Sequence, residues 1–283
     1  MAYLLMLCIP ITHCCQSMSQ KNYNSRVERP SVLLFSAVTS LIALCYFVLT
    51  SGFDLSFTAE LVPYALGFGV CYAAAWVGTV MGVRYGMLSI TSLLISCCIV
   101  FPTLYGVIVN GEELTALKLV AMAVLLGAMV LVNLKFEDPG QFSFKWLACV
   151  LVALFGNGGC SLMQNMQKRA LGESYTHEFM IIALAAAAVL LMIVAVVRTP
   201  RPLDALRRCV PYAAVNGVCN GLGNFLTLTI IGRLPNTVFY PTNTALGMLA
   251  SFLLSYIVYR ERFSKPQYAG YALGAAAIVL LNV

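Results

Sequence analysis

Ten stretches of roughly 20 residues, almost free of charge, constrain this chain more than any motif in it, because a helix of that length crosses about 30 Å of hydrocarbon. They run over residues 2–19, 31–50, 61–83, 87–109, 117–134, 146–166, 179–197, 209–231, 235–258 and 267–282, and only Lys118, at a block end, carries a formal charge within them. Of the 283 residues 60% are hydrophobic and 10% charged, with a mean hydropathy of +0.87. These values place the chain among membrane proteins and leave too few residues for a soluble catalytic or nucleic-acid-binding module. The net charge of +6 fits basic residues flanking membrane helices rather than a nucleic-acid partner. The expected surroundings are the lipid bilayer of the plasma membrane, crossed many times.

Internal repetition sets the architecture. Val62-Pro63-Tyr64-Ala65 with Gly69-Val70-Cys71 recurs as Val210-Pro211-Tyr212-Ala213 with Gly217-Val218-Cys219, seven identities in ten positions at an offset of 148. Gln20-Lys21 and Gln167-Lys168 close the first and sixth blocks, and Glu112 and Glu261 precede the fifth and tenth. Each half therefore holds five helices, residues 1–140 and 141–283. Five is odd, so the second half enters the membrane in the opposite sense, an inverted-topology repeat. The fold class expected is all-α integral membrane, ten helices in two five-helix repeats.

With these residues the chain resembles the drug/metabolite transporter superfamily, specifically its EamA-type ten-helix transporters. The shared features are two five-helix halves, a Gln-Lys after the first helix of each, the turns Glu112-Glu113-Leu114-Thr115 and Glu261-Arg262-Phe263-Ser264, and a Gly- and Ala-rich last helix from Gly270 to Ala277. The resemblance implies a solute carrier with a central cavity between the halves, worked by alternating access. Relatives carry amino acids, drugs, nucleotide sugars and other metabolites, so no solute follows from it.

Basic residues are distributed unevenly over the loops. Loops after odd-numbered helices hold 13 of the 17 Lys and Arg, and loops after even-numbered helices hold Lys118, Lys168, Arg169 and Arg233. The positive-inside rule then puts the odd loops in the cytoplasm and both termini outside. Ten-helix relatives are usually described with both termini inside, so charge and resemblance point opposite ways.

Polar groups inside membrane helices mark a solute path more often than a lipid face. Asn216, Asn220 and Asn224 form a row along one face of the eighth helix. Their repeat counterparts, Phe68, Tyr72 and Trp76, form an aromatic row on the third. Facing one another, the two rows would offer amide hydrogen bonds and stacking surfaces to a small polar solute with a flat or cationic part. The alternative reading of the asparagines is interhelical bonding alone, and of the aromatics, an interface belt. His13, Gln16 and Ser17 in the first helix, Asn157, Ser161, Gln164 and Asn165 in the sixth, and Asn236, Tyr240, Thr242, Asn243 and Thr244 in the ninth add further polar groups. Pro241 in the ninth is expected to break or kink it. Gly217 and Gly221 read as a close-packing face. The substrate-binding set expected is thus Asn216, Asn220, Asn224, Phe68, Tyr72, Trp76, His13, Gln164, Tyr240 and Asn243.

No Asp or Glu falls inside a block core, which argues against carboxylate-based proton coupling and leaves facilitated movement or coupling through His13. The eleven cysteines read as reduced packing residues. His13-Cys14-Cys15 cannot close around a metal, since consecutive helical residues diverge. No cofactor, metal or enzymatic activity is expected, and a second copy of the chain is a candidate partner. A flippase for a lipid-linked amphiphile would need a basic residue in a lateral groove. A scaffold that transports nothing would have its amides fully engaged between helices. Both stand as alternatives to the carrier.

Overall fold

The computed structural model describes residues 2–28, 30–85, 88–133, 143–199, 202–260 and 262–282. The Glu261 anchor and the boundary between residues 140 and 141 lie outside them. The helices are α1 (Ala2–Arg26), α2 (Val32–Thr50), α3 (Val62–Tyr85), α4 (Leu88–Ser96), α5 (Val100–Asn110), α6 (Ala116–Asn133), α7 (Phe144–Leu171), α8 (Thr176–Arg198), α9 (Pro202–Ile230), α10 (Asn236–Ile257) and α11 (Lys265–Leu281). A single 3-10 turn, Cys97–Ile99, joins α4 to α5 into the fourth span, so the eleven helices make ten spans.

Several helices outrun their apolar blocks, because hydropathy marks the hydrocarbon crossing while helix ends obey local stop signals. α1 continues past Ser19 to Arg26, with no glycine or proline between Ser19 and Pro30 to stop it. α9 starts at Pro202 rather than near 209, with proline in the first turn and Asp204 beside it, where a missing N–H is harmless and an acidic group suits the helix dipole. α7 runs to Leu171 and ends on Gly172, whose φ of 70° is left-handed. Ser264 and Gln267 form a capping box that starts α11. α10 passes through Pro241 as one continuous helix, so of the break or kink expected there the break does not occur.

The packing repeats under exchange of the two halves. α3 runs along α7 as α9 runs along α1, and α2 lies on α9 as α8 lies on α3. The pairs α2–α8, α6–α11 and α5–α10 exchange into themselves. α3 and α7 approach backbone to backbone: a Cβ on Gly78 would stand 2.7 Å from the Ala153 nitrogen and one on Gly156 2.6 Å from the Ala75 nitrogen. Membrane helices associate by such contact of small residues, since lipid is as apolar as leucine.

Among the described residues, seven helical segments are long and apolar enough to cross a membrane: α1, α2, α3 with the turn before it, the α4–α5 unit, α6, α7 and α8. The last three helices are each the packing counterpart of one of these. α9 gives up hydropathy to its three asparagines, and α11 has only 17 residues. The result is an all-helical, ten-span membrane protein.

Candidate functional site

The asparagine row of α9 is drawn into a chain of amides linking α9, α1 and α7. The Asn216 Nδ2 donates to the Gln16 backbone carbonyl at 2.9 Å, and Asn220 Nδ2 to Gln16 Oε1 at 3.5 Å. Asn224 Nδ2 donates to the Asn220 carbonyl at 3.0 Å and to its Oδ1 at 3.2 Å. Gln164 Nε2, from α7, donates to Asn224 Oδ1 at 3.2 Å. Asn216 is buried and bonded between helices, the gluing role. Asn220 and Asn224 stay half-buried, so their remaining donor and acceptor capacity is open to a third party.

The aromatic row of α3 divides. Phe68, 2% exposed, lies edge-on to Phe179 and stacks on Tyr72, ring centroids 5.6 and 5.9 Å apart. It is thus a packing residue between α3 and α8 and is no wall for a solute. The Tyr72 hydroxyl is buried without a hydrogen bond, although Trp76, Ser40 and Asn220 are its polar neighbours. A phenolic O–H left unpaired inside a membrane protein is costly. It is also where the two rows meet. Trp76, half-buried, follows at 6.5 Å from Tyr72. Gly217 and Gly221 pack on Ile42 and Tyr46 of α2.

α1 shows where the interior is open. Its inward face buries Met6, Ile9 and Pro10. At helical periodicity the same face continues through His13, Ser17, Gln20 and Asn24, of which His13, Ser17 and Asn24 are exposed. Ser17, Gln20, Lys21, Asn24 and Ser25, all on α1, line a shallow, largely open depression of about 450 Å³ at the odd-loop end. From Asn24 to His13 this face runs about 16 Å along the helix at 1.5 Å per residue. It ends beside Gln16, the first amide of the chain. Lys21 Nζ sits at the depression, 3.4 Å from the centre of the Tyr259 ring.

The even-loop end is tied across by hydrogen bonds around a cavity of about 430 Å³, lined by Glu112, Asn165, Lys168, Arg233 and Asn236 among others. Asn165 Nδ2 donates to the Tyr240 hydroxyl and Asn236 Nδ2 to Asn165 Oδ1, each at 2.7 Å, and all three residues are buried. The Glu112 carboxylate accepts from the backbone N–H groups of Asn236 and Thr237 at 2.8 Å each. Arg169 donates to the Val109 carbonyl and to Asn110 Oδ1. Glu173 bonds Arg233 at 3.1 Å and lies 3.7 Å from Lys168. Hydrogen bonding from Arg233, with the charge of Lys168, holds the Glu173 carboxyl below the usual carboxylate range.

Of the expected site residues, Asn216, Asn220, Asn224, Gln164, Tyr72 and Trp76 gather around the amide chain, and His13 stands at the inner end of the open face. Tyr240 belongs to the even-loop end. Asn243, one turn further along α10, keeps a buried Oδ1 without a partner and joins neither group. Sequence reasoning noted Gln16, Asn165 and Asn236 as polar but did not select them, and it read Glu112 as a loop residue. The signal at Glu112 is the glycine before it. Gly111, with φ 69°, ends α5 in a left-handed cap that returns the Glu112 N–H to the Gly106 carbonyl at 3.0 Å and so turns its side chain back over the bundle. Among the described residues, no group of three or more His, Cys, Asp or Glu is arranged to hold a metal ion.

Comparison with known proteins agrees with this architecture. A solved crystal structure aligns over 99% of this chain and 95% of its own, with a TM-score of 0.75 at 12% identity, a likeness of fold. No curated protein matches the sequence. The model of the EamA-like transporter family matches residues 144–283, the second five-helix half. Together with the ten-span fold, that match makes the chain a member of the EamA-like transporter family, within the drug/metabolite transporter superfamily.

Proposed function

We propose that this multi-pass membrane transporter is a secondary carrier of the plasma membrane, moving a small polar, zwitterionic or organic-cation metabolite by alternating access. The observation that carries this reading is the open face of α1, which leads from the odd-loop end to the amide chain and stops there, against an even-loop end tied across by hydrogen bonds. With the odd loops on the cytoplasmic side by charge, the open end faces the cytoplasm.

The chemistry available at the inner end is neutral. Asn220, Asn224, Gln16 and Gln164 supply amide donors and acceptors, Tyr72 a hydroxyl still to be satisfied, and Trp76 a ring face. A solute with no net charge meets no desolvated counter-charge there, and a cationic group is received by aromatic faces. For a lipid-linked phosphate the inner end offers no cationic side chain; the two lysines nearest the path, Lys21 and Lys168, sit at its opposite ends.

The test is thermal stability of the purified protein against amino acids, nucleosides, sugars and small organic cations, since a ligand of the folded state raises Tm. A stabilising solute whose effect disappears in Asn220→Leu is the expected result. Undiminished binding and uptake by that variant would remove the site from the amide chain. Silence across the panel from a cooperatively melting protein would favour the flippase or the scaffold.

A further inference from the structure

Building on the carrier reading, we propose that Glu112 is a positioning residue that latches the even-loop face shut and thereby decides which face of the protein is open. Its carboxylate is the only side chain seen to join the fourth span to the backbone of the ninth among the described residues. Both oxygens are used, one on the Asn236 N–H and one on the Thr237 N–H, at 2.8 Å. These are two of the four N–H groups that α10 cannot satisfy itself, and the positive end of a 22-residue helix favours the charge placed there.

The backbone is shaped to allow this. The left-handed Gly111 folds the chain back, and α5 presents Gly106 where the carboxylate must pass. A Cβ at Gly106 would stand 2.6 Å from Glu112 Oε2 and 2.8 Å from the Asn236 Cβ. Any larger residue closes the slot between α5 and α10. Around the slot, Asn110 Nδ2 donates to Glu112 Oε1 at 3.4 Å, and Arg169 ties α7 to the end of α5. Glu112, Asn236, Asn165 and Tyr240 thus form one hydrogen-bonded series across the fourth, ninth and sixth spans.

That series touches the solute path through one helix turn. Gln164 bonds Asn224 in the amide chain, and its neighbour Asn165 bonds Asn236 and Tyr240 at the latch. A solute that replaces the Gln164–Asn224 bond therefore acts on the same turn of α7 that holds the latch. Two states biased by one element are what coupling between a site and a gate requires.

Two repeat-related lysines report the two faces. Lys21 lies at the open end and is exposed, while the Lys168 side chain at the even-loop end is 8% exposed. The protein in lipid nanodiscs, where both faces are accessible, is treated with a water-soluble amine-acylating reagent and both sites are followed by mass spectrometry. Lys21 should react at least about tenfold faster than Lys168 in the unsubstituted protein, as local burial scales protection. In Glu112→Gln, acylation of Lys168 should rise about fivefold or more while that of Lys21 falls, because a population shift opens one face as it closes the other. Gly106→Ala, which forces the carboxylate aside without changing its charge, should shift both lysines in the same directions and covers the case in which Glu112→Gln does not fold.

Unchanged rates in both variants overturn the latch. So does a rise at Lys168 with Lys21 unaffected, which is local fraying rather than a change of state. The measurement uses no solute, so it fails or succeeds independently of the substrate assignment. Reciprocal labelling in a protein that moves no solute would keep the latch and dismiss the carrier.

Discussion

The end of α1 and the end of α7 are the same piece of scaffold used twice, related by an offset of 147 through Gln20-Lys21 and Gln167-Lys168. In α1 the positions Ser17 and Lys21 are exposed and Gln20 lines the cavity. In α7 the matching Gln164 is 5% exposed, Gln167 is 0% exposed, and Lys168 is nearly covered. Composition does not account for this, since each end carries a Gln-Lys pair and other polar residues. Both ends border a cavity of similar size; what differs is the neighbour, since the end of α7 is bonded to α5 through Arg169 and to α10 through Asn165, and α10 in turn carries the Glu112 carboxylate. Repeat-related helices can therefore present the same chemistry to two different environments, and burial here reports the state of the bundle rather than the character of the residue.

The largest effect that would test this contrast is at the inner end of the open face. Asn220→Leu should cost at least about 100-fold in solute affinity, since a site built on polar partners discriminates strongly once one is lost. A titration by calorimetry or by Tm checks it, and retention of affinity would mean that the open face is not the solute path. Next comes the packing that both ends share. Gly156→Leu places a side chain against the α3 backbone and should cost several kcal/mol, beyond the about 1–3 kcal/mol typical of overpacked cores, read as loss of cooperative melting. A variant that melts normally would show that α3 and α7 are less tightly joined than the 2.6 Å from a Cβ at Gly156 to the Ala75 nitrogen implies.

A paired substitution sharpens the comparison directly. Gln167 has neither its nitrogen nor its oxygen hydrogen-bonded, so Gln167→Met should stabilise by about 1–2 kcal/mol through removal of an unsatisfied buried amide. Gln20→Met, at the repeat-related position in the cavity, should change stability by less than about 0.5 kcal/mol. Equal shifts in Tm for the two variants would mean that the ends are equivalent in the membrane.

The smallest expected effect is electrostatic. Glu173 has its carboxyl lowered by Arg233 and Lys168, so its contribution is fully present above the unfolded carboxyl range and is lost as pH falls through the lower, folded value. At the exposure of this pair that is no more than on the order of 0.5 kcal/mol. It should appear as a slightly steeper acid-side loss of Tm than in Glu173→Gln, and parallel pH profiles would count against it.

The ten crossings, the five-plus-five organisation and the polar rows were legible in the sequence because each rests on local spacing. The amide row of α9 was visible as i, i+4, i+8, and the structure gathers it with Gln164 and Tyr72. Phe68 was not separable from Tyr72 by spacing alone, since only the position of α8 shows that Phe179 covers one and not the other. Glu112 was read as a loop residue because a carboxylate 124 positions from Asn236 has no local signature of the helix it caps. Pro241 was read as a break or a kink, and α10 stays continuous through it, as a neighbouring bundle can support a freed carbonyl.

The sequence by itself determined that this chain lives in a membrane, how many times it crosses and that its halves repeat, because hydropathy and helical period are properties of neighbouring residues. Only the tertiary structure decided which of those polar groups meet, which face of α1 is open and which end is tied across by hydrogen bonds. Those outcomes depend on contacts between helices far apart in the chain, where a shift of a few ångströms determines whether an amide is bonded, buried or left facing a cavity.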